Sequence, residues 1–167
     1  MPFKLKPIHK EAIGSALEKA VRYRVLNEPL EAESICRDVL EVEPDNQEAI
    51  ATLLLALTDQ FPGGLGPRVR QANELATRLK TEYERSYYSG IVWERQAKCQ
   101  YEQKVPGRGY AAYQGLRRAM EFYEKAEKLR PPGNDDALLR WNTCVRFIES
   151  HADIVPEPAT SGEHQLE

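Results

Sequence analysis

The stretch LNEPLEAESICRDVLEVEPDNQEAI, residues 26–50, decides the fold. It contains the end of one predicted helix, a tight turn, a second amphipathic helix, and the start of a third after Pro44-Asp45-Asn46. Apolar residues of the second helix recur at intervals of three and four, which places them on one face of an α-helix. Pro29 suits the first helical turn, because N–H groups in that turn have no hydrogen-bond partner within the helix and proline lacks this group. This arrangement is typical of a helical repeat rather than of an enzyme pocket.

The composition restricts the class of protein. The chain has 167 residues, of which 41% are hydrophobic and 29% are charged, values typical of one folded, soluble domain. A net charge of −3 argues against a general nucleic-acid binder, which is normally basic. No apolar run approaches the length of a membrane span. The three cysteines are odd in number and widely spaced, so we expect free thiols and a cytoplasmic protein.

The same periodicity predicts helices along most of the chain. The seven predicted helices cover about residues 10–26, 29–42, 46–59, 67–80, 83–103, 111–129 and 135–150. Residues 1–9 are predicted to form an extended lead-in, because Pro2 and Pro7 disfavour a helix there. The helical domain is expected to span residues 10–151. The remainder, 152–167, has little apolar content and is predicted to be a mobile tail.

An internal spacing repeats in the second helix of each predicted hairpin. A small residue is followed after four positions by a medium-sized one and after three more by a small or apolar one. The pattern occurs at Ala32/Cys36/Val39, at Ala72/Ala76/Leu79 and at Ala119/Tyr123/Ala126. It resembles the tetratricopeptide repeat, over about residues 13–148. The resemblance implies an all-α fold: a right-handed α–α superhelix of about three hairpins with a C-terminal capping helix.

Two loops interrupt the period. Ala32 and Ala72 are 40 positions apart and Ala72 and Ala119 are 47 apart, against about 34 for the tetratricopeptide family. The Gly/Pro-rich loops 61–67 and 104–110 account for the surplus, and each lies between the first and second helix of a repeat. A regular stack would place both loops on one edge. A possible edge site there consists of Arg68, Arg70, Lys104, Arg108 and Tyr110.

The resemblance also implies a concave groove lined by the first helix of each repeat. Carried onto this chain, the groove positions are Leu17, Val21, Arg24, Val25, Ala51, Leu55, Thr58, Asp59, Leu138, Asn142 and Arg146. Family members that bind chaperone tails clamp a terminal carboxylate with Lys and Asn, but Leu17 and Val21 stand at those places here. We therefore expect a largely apolar groove that binds an amphipathic helix or peptide of a partner protein, or a second copy of the chain.

Two alternative functions remain open. Tyrosines of the fifth and sixth predicted helices are interleaved with arginine and lysine, a combination that could bind a small ligand or serve an enzyme. Alternatively, the chain is a structural subunit that forms homodimers through the groove. No catalytic residue, metal site or cofactor is predicted, because the histidines lie at the chain ends and the cysteines fall on helical apolar faces.

Overall fold

The computed structural model describes residues 2–157, and within them the chain is all-α, with seven helices and no strand. The helices are α1 Ile13–Val25, α2 Pro29–Val42, α3 Gln47–Asp59, α4 Gly66–Thr77, α5 Glu82–Glu102, α6 Arg108–Leu129 and α7 Asp136–Ser150. Short 3₁₀ turns at Lys10–Ala12 and Phe61–Gly63 precede α1 and α4. The predicted all-α class is confirmed. None of the described helices combines the length and the apolar character needed to cross a bilayer.

Side chains at the helix starts define these boundaries. Asn46 precedes α3, and its side chain accepts a 2.9 Å hydrogen bond from the Ala49 N–H. Thr81 does the same for α5, accepting from the Glu84 N–H at 3.1 Å. Each bond satisfies a donor that the helix itself leaves unpaired. Local sequence therefore determines where α3 and α5 begin.

The second predicted loop, 104–110, is shorter than expected. Gly107 has φ of +79°, a left-handed conformation that glycine adopts without steric cost, and α6 begins immediately after it at Arg108. Arg108 and Tyr110, which were assigned to the loop, are helical residues. The prediction was wrong here because the glycines were interpreted as loop composition, whereas only Gly107 takes an unusual conformation.

The core is divided between the two halves of the chain. One cluster joins α1 to α4, with Cys36, Ile50 and Leu54 at its centre. A second joins α5, α6 and α7 around Leu116 and Tyr123. Partly buried Leu55 and Tyr88 pack against both clusters. The apolar faces thus form a continuous interior that runs through α3 and α5.

Helices adjacent in sequence pack together, and α3 also lies beside both α1 and α5. The α5–α6 pair approaches closely because two glycines face the partner helix. A Cβ on Gly90 would lie 2.5 Å from Tyr123 Cε1, and one on Gly115 would lie 2.7 Å from Ala97 Cβ. Neither position has room for a larger side chain without a shift of its neighbour.

The packed part of the chain continues beyond residue 151, where the tail was expected to begin. Ile154 is buried in the core cluster of α5–α7. Asp153 accepts a 2.6 Å hydrogen bond from the Tyr101 hydroxyl. Ile154 and Asp153 attach this segment to the helices. Two residues change the composition of the tail too little for the sequence to predict the attachment. Residues 158–167 of the predicted tail lie outside the described residues.

Candidate functional site

An open groove of about 400 Å³ crosses α1, α3 and α5. Its apolar lining comes from Val21, Ala51 and Leu55, together with Leu79 and Tyr88. Val21 is 42% exposed, so a large aliphatic side chain faces solvent within the groove. Three predicted groove residues, Val21, Ala51 and Leu55, are therefore brought together from two helices, and the fifth helix supplies the opposite wall.

One end of the groove is acidic. Glu48 in the first turn of α3 and Glu84 in the first turn of α5 both line it, beside Gln47. Among the described residues neither carboxylate forms an ion pair. Both lie at helix N-termini, where the helix dipole attracts negative charge. The result is a negative rim next to an apolar floor.

Ion pairs link the same three helices at their other ends. Arg24 donates from Nε to Asp59 Oδ2 at 2.7 Å and from Nη2 to Oδ1 at 3.3 Å. Arg95 of α5 lies 3.3 Å from the same carboxylate. Because the three side chains remain partly exposed, the pairs contribute modestly to stability. Their larger effect is to fix α1, α3 and α5 side by side.

Other predicted groove residues of α1 and α3 lie elsewhere. Leu17 is buried in a small core cluster with Ile13, Val39 and Ala49. Thr58 is also buried and donates a 2.8 Å hydrogen bond to the Leu55 carbonyl. These two side chains are therefore buried in the interior and do not line the groove.

The three α7 positions are not part of this groove. Leu138 and Asn142 line a separate, smaller cavity of about 220 Å³ against Glu124 and Glu127 of α6. Arg146 is exposed. Val25, at the end of α1, is 80% exposed and does not contribute to the groove lining.

Of the proposed edge residues, Arg68 and Arg70 lie in the first turns of α4, Arg108 and Tyr110 in the first turn of α6, and Lys104 in the loop between α5 and α6. Arg68 donates a 2.9 Å hydrogen bond to the Gly64 carbonyl and lines a shallow cavity of about 540 Å³ beside the α1–α2 turn. Arg70 and Lys104 are exposed. Cys99, near the end of α5, lies 3.4 Å from the Phe61 carbonyl, so the helix that leads to the second loop contacts the first.

A buried polar network, which the sequence analysis missed, joins α5, α6 and α7. Glu94 is 1% exposed and has four partners. Tyr123 donates to Oε1 at 2.9 Å and Lys98 to Oε2 at 2.8 Å. Arg140 lies 3.4 Å from Oε2 and the Cys144 thiol 3.6 Å from Oε1. Glu94 shares the spacing of three and four residues with the buried Ile91, Ala97 and Tyr101, a pattern that indicates an inward-facing position.

The network alters the titration of its members in a consistent way. Burial, reinforced by Glu94, raises the pKa of the Tyr123 hydroxyl and raises that of the Cys144 thiol to about 12. Burial alone would lower the pKa of Arg140, but Glu94 and Tyr123 together raise it. Tyr123 and Cys144 therefore remain protonated donors at neutral pH, and the thiol is a poor nucleophile.

A second polar cluster attaches the C-terminal segment. Tyr101 donates to Asp153, and this bond lowers the pKa of the carboxyl and raises that of the hydroxyl. The Arg108 guanidinium lies 4.2 Å from the Tyr101 ring centroid and 3.4 Å from Asp153 Oδ2. A Cβ on Gly109 would overlap the Asp153 carbonyl. Arg108 thus holds a neighbouring chain segment in this structure.

The aromatic residues of α5 and α6 belong mainly to the interior. Tyr83 and Tyr87 stack with ring centroids 6.0 Å apart, and Tyr88 meets Tyr87 edge-on at 5.1 Å. Tyr87 also packs against Tyr123. These rings fill the space between α5, α6 and α7. Trp93 of α5, by contrast, lines an open cavity of about 430 Å³ together with Arg117 and Arg118 of α6.

Compared with protein-family models, with curated proteins and with solved structures, the chain matches none of them.

Proposed function

We propose that this chain is a protein-interaction module of the tetratricopeptide-repeat type. In this proposal three helical hairpins and a terminal helix form a right-handed superhelix, and a partner peptide or helix binds in the groove of α1, α3 and α5. Binding is an equilibrium association without covalent chemistry.

The open apolar groove carries the proposal. Val21, Leu55 and Tyr88 come from three different helices, yet they line one cavity that remains accessible to solvent. A concave apolar surface with a polar rim is the usual site for an amphipathic segment. The ion pairs of Arg24 and Arg95 with Asp59 hold the walls in place before binding, which reduces the ordering cost of association.

Helix packing supports the repeat arrangement. Ala32, Ala72 and Ala119, the small residues of the repeating pattern, are all fully buried. Helices α1, α3 and α5 lie side by side, as the first helices of successive repeats would. Each hairpin is too small to bury its own apolar face, so stacking of this kind is required for stability.

Peptide-library selection on the immobilised full chain tests the groove. We expect selected peptides to carry large apolar residues flanked by lysine or arginine, complementary to Glu48 and Glu84. The Val21→Asp variant places a charge on the groove floor. It should raise the dissociation constant of the selected peptides by about tenfold or more, which corresponds to ~1.4 kcal/mol of binding free energy. Val25→Asp is the matched control, since Val25 lies on the same helix, is more exposed and is outside the groove.

Circular dichroism of both variants establishes that they are folded. Equal loss of binding in the two variants, or equal retention, would contradict the proposal. An unchanged peptide set with Val21→Asp would place the interaction on another surface.

A further inference from the structure

The lead-in, residues 2–9, exposes two large apolar side chains. It forms neither helix nor strand, and Phe3 and Leu5 are 86% and 88% exposed. In an extended chain alternate side chains share a face, so Phe3 and Leu5 lie on one side and Lys4 and Lys6 on the other. Such a pattern matches a segment that docks with one face in an apolar groove.

The lead-in is anchored only at its base. Ile8 packs against the core cluster of Ile13, Leu17, Val39 and Ala49. Pro7, whose ring fixes φ, disfavours a helix immediately before that anchor. Residues 2–7, which precede this anchor, are exposed and form no regular secondary structure.

The charges of the lead-in and the groove are complementary. Residues 2–9 contain Lys4, Lys6 and His9 and no acidic residue. The groove rim carries Glu48 and Glu84, neither of which has an ion-pair partner among the described residues. The apolar face of the lead-in matches the apolar floor of the groove, and the lysines of the lead-in are opposite in charge to the two glutamates of the rim. Complementary charges of this kind favour one orientation of binding.

We propose that the lead-in of one copy binds in the α1–α3–α5 groove of a second copy, with Phe3 and Leu5 on the apolar floor and Lys4 and Lys6 towards Glu48 and Glu84. The exchange is reciprocal, which gives a closed twofold dimer with two identical contacts. This inference rests on the proposed function, since it names an occupant of the same groove. Within one chain the groove is open while Phe3 and Leu5 are exposed, so the lead-in does not fill the groove of its own chain.

Sedimentation equilibrium of the full chain over a range of concentrations tests the dimer. We expect Phe3→Ser combined with Leu5→Ser to raise the dimer dissociation constant by about tenfold or more, and Val21→Asp to do the same. Leu139→Ser is the control, because Leu139 is a comparably exposed aliphatic residue on α7 and should leave the constant unchanged. All variants replace exposed or half-exposed side chains, and circular dichroism establishes that they are folded.

A mixing experiment identifies the contact. The Phe3→Ser/Leu5→Ser chain retains an intact groove, and the Val21→Asp chain retains an intact lead-in. Each variant alone should dimerise about tenfold or more weakly than wild type, and the mixture should form a heterodimer with one intact contact more tightly than either variant forms its own dimer. A wild-type chain that is monomeric throughout, or a dimer insensitive to the lead-in substitutions, would overturn the inference. Peptide binding that depends on Val21 would still support the proposed function in that case, so the two failures are distinguishable.

Discussion

Replacing Tyr123 with phenylalanine tests the buried network directly. The substitution removes one hydroxyl and keeps the ring that packs against Tyr87 and Gly90. Glu94 loses the 2.9 Å bond to Oε1 and keeps Lys98 and Arg140 on Oε2. The Cys144 thiol, at 3.6 Å, is the remaining partner of Oε1.

The expected loss is that of a hydrogen bond to a charged group in a buried site. Such bonds contribute about 1.5–3 kcal/mol to the free energy of unfolding. For a domain of this size the corresponding fall in Tm is roughly 3–12 °C. Since Glu94 is almost fully buried, water cannot replace the missing donor without a local rearrangement.

Urea denaturation followed by far-UV circular dichroism measures the change. The matched control is Tyr110→Phe, which deletes the same atom from a half-buried tyrosine without a side-chain hydrogen bond to another described residue. The control should stay within about 0.5 kcal/mol of wild type. If Tyr123→Phe also stays within that range at an unchanged m-value, the hydroxyl does not stabilise Glu94 and the reasoning is refuted.

Four further substitutions test the packing and the C-terminal segment. Gly90→Ala should lower the free energy of unfolding by about 1–3 kcal/mol, because the added Cβ would meet the Tyr123 ring. Gly14→Ala is the control: the space around Gly14 is open, so this substitution should raise the free energy of unfolding by about 0.5–1 kcal/mol. Equal urea midpoints for the two variants would contradict the close packing of Gly90 against Tyr123. The pKa of Asp153 is lowered in the folded chain, so its stabilising contribution is present above the ordinary carboxyl pKa of about 4 and is lost as pH falls through the lower folded-state value. Asp153→Asn should therefore flatten the acid limb of a stability–pH curve, and a parallel curve would refute the link. Gly109→Ala should release the segment around Asp153, because the added Cβ would overlap the Asp153 carbonyl. We expect faster amide hydrogen exchange at residues 151–157 and unchanged exchange in α2. Exchange at residues 151–157 equal to that of wild type would refute the close approach of Gly109 to Asp153.

The helices were predictable because their signals are local. Pro29 and Pro44 define the ends of α2, and the period of three and four identifies its buried face. The start of α6 was missed because a single left-handed glycine, Gly107, determines it. Nothing in the composition of residues 104–110 distinguishes that glycine from Gly109, which is helical.

Some of the positions predicted for a groove lie together. Val21, Ala51 and Leu55 line one open cavity, since α1 and α3 pack side by side. The α7 positions were not brought to this groove, because α7 packs mainly against α6. Periodicity identifies the face of a helix, but which neighbour covers that face depends on contacts between residues distant in sequence.

Glu94 escaped prediction for a related reason. An acid within an amphipathic helix is normally assigned to the solvated face, and only its partners 29 and 46 positions away, Tyr123 and Arg140, make burial possible. Removing either partner would leave a buried acceptor short of donors. The contacts of Glu94 are therefore satisfied only in arrangements of α5, α6 and α7 that keep Tyr123 and Arg140 beside it.

The network also bears on the groove, because α5 is a wall shared by both. Glu94 faces α6 and α7, whereas the next residue, Arg95, reaches Asp59 on α3. Successive residues of a helix point about 100° apart, so these two contacts fix the rotation of α5 about its axis from two sides. Tyr88 and Glu84, which line the groove, keep their positions only while that rotation is maintained. The buried carboxylate of Glu94 thus helps to preserve the shape of a surface about two turns away along the same helix.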